Sequence, residues 1–208
     1  VQNTHDVQRL SPLAPELFRQ QALAVLEDLP VAAIKIGLIG SAAICREIRS
    51  LLREYPHIPT VLDPVLAAGG GAGLAGQELL QAIRQELLPR ITLATPNSIE
   101  ARRISGHEGL MESAQAILAT GCRNLLITGT HEESDQVTNT LYQGSMDQQH
   151  SWQWPRLAGS YHGSGCTLAA AIAARVALDL PLTEAVAQAQ EYTWQSLHHA
   201  HSFGSGQH

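Results

Sequence analysis

The stretch VAAIKIGLIGSAAICREIRSLLREYPHIPTVLDP, residues 31–64, sets the pattern for the whole fold. Val31 to Ile39 is an apolar run closed by Gly40, the signature of a buried strand. Ser41 follows, a residue type whose side-chain oxygen caps helices, and a helical pattern runs from it to about Arg53. Thr60 to Pro64 is a second short strand, stopped by a proline that cannot donate to a ladder.

Outward from this unit the alternation continues. A helix is predicted from about Glu16 to Leu29, with Leu17, Phe18, Ala22, Val25, Leu26 and Leu29 on one face. Beyond Pro64, a glycine-rich loop at Gly69–Gly73 leads to a helix near Gly76–Leu88, then a strand at Ile91–Thr95. Pro96-Asn97 opens a helix, a second spans Met111–Thr120, and a strand covers Asn124–Thr128. Residues 137–154 break the rhythm and read as a hairpin. Helices at about Ser164–Leu178 and Thr183–His201 close the chain. Strands alternating with helices specify an α/β fold, a mostly parallel central sheet with helices on both faces. With no repeat or linker, residues 1–208 are expected to form one domain. Ligands in such folds bind at the carboxyl ends of the strands.

Composition narrows the function. Thirteen Lys and Arg stand against 19 Asp and Glu, a net charge of −6 without a basic block, which excludes a nucleic-acid surface. No apolar run reaches the ~18–20 residues that cross a bilayer, and no signal peptide is visible, so no membrane role is expected. Cys45, Cys122 and Cys166 are odd in number and far apart, which suits a reducing cytoplasm rather than disulfides or zinc. With Lys35 as the single lysine, basic catalytic groups are expected to be arginine or histidine, or to lie elsewhere. Ten histidines are scattered, and the densest run, His198, His199 and His201, reads as solvated.

Three segments at strand ends carry the chemistry. His162-Gly163-Ser164-Gly165-Cys166-Thr167 is a glycine-punctuated turn feeding a helix. Unpaired N–H groups and the positive dipole end of that helix suit an anion, and the same field favours a thiolate at Cys166. A packed loop is the alternative. Asp63, before Pro64, is positioned for a metal or substrate, or for an Asx-type turn. Thr95-Pro96-Asn97-Ser98-Ile99-Glu100 is a helix cap whose Glu100 also faces the strand ends. Together they make a phosphoryl-transfer apparatus: a phosphate cradle, two carboxylates for magnesium, and Cys166 as proton acceptor.

Taken as a set, these segments resemble the ribokinase-like kinases. Asn97 to Glu100 is similar to their Asn-x-x-Glu magnesium motif, and Gly163 to Cys166 to their Gly-x-Gly-Asp anion hole with cysteine for aspartate. Cysteine there resembles the hydroxymethylpyrimidine/phosphomethylpyrimidine kinases of thiamine biosynthesis. Val1-Gln-Asn-Thr4, Lys35-Ile-Gly-Leu38, Val61-Leu-Asp-Pro-Val65 and Leu87-Leu-Pro89 agree in order. The resemblance implies an ATP- and Mg2+-dependent kinase that phosphorylates an aminopyrimidine alcohol and then its monophosphate. It implies Cys166 as catalytic base, Gly163, Ser164 and Gly165 as the anion hole, Asp63 and Glu100 for the metal, and Val65 against the pyrimidine. It also implies a homodimer. A pyridoxal or pyridoxine kinase of the same fold, or a catalytically weak pyrimidine- or nucleotide-binding protein, is the alternative.

The chain departs from this pattern in three places. The family's opening strand and glycine-rich segment, with a substrate-contacting aspartate and glutamine, are absent before Val1, so the first strands and half of the pyrimidine pocket are expected to be missing. Ala67-Ala-Gly-Gly70 stands where the family carries Ala-Lys-Ser-Gly, and Thr128-Gly-Thr-His131 where it carries Lys-Gly-Gly-His. Losing both lysines is expected to weaken nucleotide affinity or rate.

Overall fold

The computed structural model describes residues 1–5, 7–66, 75–201 and 204–206. The glycine-rich loop Gly69–Gly73 and the Ala67–Gly70 departure lie outside the described residues. Helix α1 (Pro15–Leu26) precedes strand β1 (Ile34–Ile36), helix α2 (Ala42–Glu54) and strand β2 (Thr60–Leu62). Helix α3 (Gln77–Ala82), strand β3 (Leu93–Ala94), helices α4 (Ser98–Ser105) and α5 (Leu110–Leu118) and strand β4 (Asn124–Thr128) follow. Strands β5 (Gln136–Gln143) and β6 (Ser145–Pro155) then lead to helices α6 (Ser164–Val176) and α7 (Leu182–His198).

One six-stranded sheet runs β1-β2-β3-β4-β5-β6, with β1 to β4 parallel and the last two pairings antiparallel. The expected hairpin is β5–β6, turning at Gly144 with φ +71, a conformation glycine adopts without a Cβ clash. Parallel strands are shorter than the apolar runs suggest, because prolines bracket the pairing. Pro59 and Pro64 flank β2, neither able to donate to a ladder, and β1 extends only as far as this partner allows.

Alternation along each strand places helices on both faces. Val61, Leu93, Leu126 and Leu141 pack with Leu168, Ile172, Val186 and Ala189 of α6 and α7. Their neighbours Leu62, Ala94, Leu125 and Tyr142 point the other way, against α2 to α5. In α2 the Ser41 hydroxyl accepts from the Ile44 N–H at 3.2 Å, as its capping chemistry requires, and Ile44, Cys45, Ile48 and Leu52 are buried on one stripe.

Two helices differ from expectation. Instead of one helix to Leu88, α3 gives way to a π turn (Ile83–Leu87) and a 3-10 turn (Leu88–Arg90), since Pro89 supplies no N–H to continue an α ladder. Helix α1 starts at Pro15, whose fixed φ suits a first helical position, and buries no residue fully. Phe18 packs on the core while Leu17, Val25 and Leu29 remain exposed, so the predicted apolar face is only partly used.

Candidate active site

The turn before α6 is built on Gly163, which holds φ +75 and ψ 6, the left-handed region that penalises a Cβ. From there the chain enters the helix, and the Thr167 N–H closes the first turn on the Gly163 carbonyl at 2.8 Å. Ser164, Gly165 and Cys166 occupy the first turn, where helical N–H groups have no carbonyl behind them. The approach is anchored by His162, whose Nε2 lies 2.9 Å from the Thr4 carbonyl.

Asp63 follows β2 and is buried. The Val65 N–H bonds back to the Asp63 carbonyl at 2.9 Å across Pro64, a tight reversal that proline's fixed φ favours. Val65, two residues beyond Asp63, is half-buried. One carboxylate oxygen, Asp63 Oδ1, faces Gly165, where an added Cβ would stand at 3.9 Å, an ordinary contact. The other, Oδ2, accepts from Lys35 Nζ at 3.2 Å. Lys35 thus stands in the same cluster as Asp63. Gly37 makes room for it: a Cβ there would meet Lys35 Nζ at 2.7 Å. The signal available in sequence was a lysine inside an apolar strand, a residue seldom buried without a partner.

Glu100 realises the capping box and something more. The Asn97 side chain accepts from the Glu100 N–H at 2.9 Å, while Glu100 Oε2 accepts from the Asn97 N–H at 3.0 Å. Its other oxygen, Oε1, accepts from the Leu66 N–H at 3.2 Å, joining α4 to the segment after Asp63. Burial pushes the carboxyl up to about 7; the two backbone donors oppose the rise, and the Asp63 charge adds to it.

Cys166 faces the same carboxylates. Its thiol is pushed up to about 11, first by partial burial and then by the charge of Asp63; Lys35 opposes the rise. The residue is open to solvent on one side, so water softens the effect. The expected lowering by the helix terminus is therefore outweighed in the resting site by Asp63 and partial burial. Cys45 and Cys122 are buried.

Asp63, Glu100, Cys166 and the Gly163–Gly165 turn thus converge from three elements, with Lys35 as the member missed in sequence. Among the described residues no three His, Cys, Asp or Glu side chains form a ready metal cage. Two adjacent carboxylates still fit magnesium, a hard cation that keeps several waters and is completed by phosphate oxygens. Like-charge crowding between Asp63 and Glu100 is the feature such a cation would relieve.

A family model described as phosphomethylpyrimidine kinase matches residues 1–208. The Bacillus subtilis hydroxymethylpyrimidine/phosphomethylpyrimidine kinase is 32% identical over 99% of this chain and 78% of its own length. The thiamine biosynthesis bifunctional protein ThiED of Geobacter sulfurreducens is 35% identical over 99% of this chain, which spans only 43% of that protein. Among solved structures, phosphomethylpyrimidine kinase from Clostridium difficile 630 aligns with a TM-score of 0.76 at 28% identity, over 89% of this chain and 77% of that one. An ADP complex of Bacillus subtilis pyridoxal kinase aligns with a TM-score of 0.84 at 26% identity, over 94% and 75%.

Proposed function

The chain belongs to the phosphomethylpyrimidine kinase family, and from that membership we propose how its site works. It is a phosphotransferase of ribokinase-like fold. Its reaction is the ATP-dependent phosphorylation of hydroxymethylpyrimidine and of the resulting monophosphate, in thiamine biosynthesis. The observation that carries the residue-level reading is the convergence of Asp63, Glu100 and Cys166 on the glycine turn of α6.

In this reading the first-turn amides of Ser164, Gly165 and Cys166 hold the transferring phosphoryl group, and Gly163 sets their direction. Cys166 Sγ takes the proton of the substrate hydroxyl; the freed oxygen attacks the terminal phosphorus of ATP, and ADP leaves with the electrons of the broken P–O bond. Amides at the helix terminus and Lys35 favour the thiolate, whereas Asp63 opposes it. Asp63 and Glu100 would hold Mg2+, directly or through water, and the ion would neutralise phosphate charge. Val65 flanks the pyrimidine. We extend the reading to a single domain over 1–208 acting as a cytoplasmic homodimer, which the family resemblance and the free thiols support. No helix among the described residues is long and apolar enough to cross a membrane.

A pyridoxal kinase is the second reading, favoured by the closer backbone match to that structure. Coupled ATP consumption with Mg2+, run on the aminopyrimidine alcohol and on pyridoxal, separates the two. The higher kcat/KM is expected with the pyrimidine; preference for pyridoxal selects the alternative, and no turnover of either removes the kinase reading.

A further inference from the structure

Helix α4 presents two adjacent arginines that grip two different loops. Arg102 forms a bidentate pair with Glu132, at 2.7 and 2.9 Å, in the turn between β4 and β5. Arg103 turns the other way. Its Nη1 donates to the Leu66 carbonyl at 2.9 Å and its Nη2 to the Ala75 carbonyl at 2.5 Å. These two carbonyls lie on either side of residues 67–74, and the Ala75 N–H itself donates to the Leu66 carbonyl at 3.3 Å. Leu66 is therefore held through both of its backbone polar groups from one helix face: its N–H donates to Glu100 and its carbonyl accepts from Arg103. Spacing of three residues along α4 places both side chains on that face. Leu66 is buried and immediately follows Val65, and Asp63 is three residues upstream.

We propose that Arg103 is a positioning residue for the alcohol substrate: by clamping Leu66 to Ala75 it fixes the backbone that carries Val65 toward the site. A planar guanidinium satisfies two carbonyls in one plane, which a lysine's single ammonium cannot do with the same geometry. The Arg102–Glu132 pair holds the β4–β5 turn through separate hydrogen bonds. Arg103 touches no reacting atom in this arrangement. Its loss loosens the placement of Val65, and a displacement of ~1 Å in a positioning group is enough to cost ~10-fold or more. This inference rests on the assignment of Val65 to the pyrimidine side.

The test is steady-state kinetics of the full-length protein and its Arg103→Ala and Arg103→Lys variants, with each substrate varied in turn and melting temperature recorded. Arg103→Ala is expected to raise KM for the alcohol ~10-fold while KM for ATP stays within ~2-fold, with Arg103→Lys in between. A fall in melting temperature with KM for the alcohol unmoved, or equal rises for both substrates, overturns the inference while leaving the kinase reading intact. Wild-type protein that phosphorylates neither the aminopyrimidine alcohol nor pyridoxal overturns both.

Discussion

Lys35 Nζ lies 3.2 Å from Asp63 Oδ2, although 28 residues separate them in sequence. Parallel pairing of β1 with β2 sets Lys35 opposite Val61, and Asp63 continues from the same strand end toward the ammonium. The pair is mostly desolvated, with the Asp63 side chain 7% exposed and that of Lys35 23%. Replacing one partner leaves the other's charge without compensation in a poorly hydrated place. Lys35→Met is expected to lower stability by about 1–3 kcal/mol in denaturant titrations, and the Lys35→Met/Asp63→Asn double variant to recover part of that loss. Strictly additive effects would show that the two charges do not sense each other.

Cys166 is the exposed thiol, and Cys45 and Cys122 are buried, so alkylation of the folded protein reports on Cys166 alone. Partial burial and the Asp63 carboxylate hold its pKa up, and only the thiolate reacts. Labelling by iodoacetamide, followed by mass spectrometry without nucleotide, should therefore rise steadily from pH 7 to pH 10. A rate that levels off below pH 8 would mean that the helix terminus, not Asp63, governs the sulfur.

For Glu100 the sign follows from burial. A free glutamate titrates near ~4.3, whereas this one is held up to about 7. Between those values the folded chain keeps a proton that the unfolded chain has released, so this group's contribution to stability falls as pH rises through that window. Urea titrations at pH 5 and pH 8 should show wild type losing stability across the interval, with a flatter dependence in Glu100→Gln. Parallel pH dependences would contradict the assignment.

Much of this was legible in sequence, for identifiable reasons. The Ser41 cap, the Asn97–Glu100 box and the β5–β6 hairpin are local patterns whose partners lie within a few residues, so chain spacing alone specifies them. Asp63, Glu100 and Cys166 were singled out because each closes a strand or opens a helix on the same side of a parallel sheet. What was not legible depends on register and distant packing. The role of Lys35 is not readable from chain spacing, because its partner Asp63 is fixed only when β1 pairs with β2. The rise at Cys166 could not be read either: the helix terminus is visible in sequence, the buried carboxylate beside it is not. The same holds for Arg103, whose acceptors are backbone carbonyls and leave no mark in side-chain identity.

Gly163 holds a left-handed conformation that costs an L residue about 1–2 kcal/mol. Open space around its missing Cβ means that Gly163→Ala strains only the backbone. The variant should fold with slightly reduced stability and bind ATP more weakly by isothermal calorimetry, since the first-turn amides lose their direction. Unchanged affinity would place the nucleotide phosphates elsewhere.

The proton-accepting role of Cys166 is tested most directly by kcat for the aminopyrimidine alcohol, with saturating ATP and Mg2+, in wild type and Cys166→Ala. Removal of a positioned base is expected to lower kcat by ~100-fold or more, while the melting temperature stays close to that of wild type. A folded Cys166→Ala protein that turns over at the wild-type rate would contradict the account.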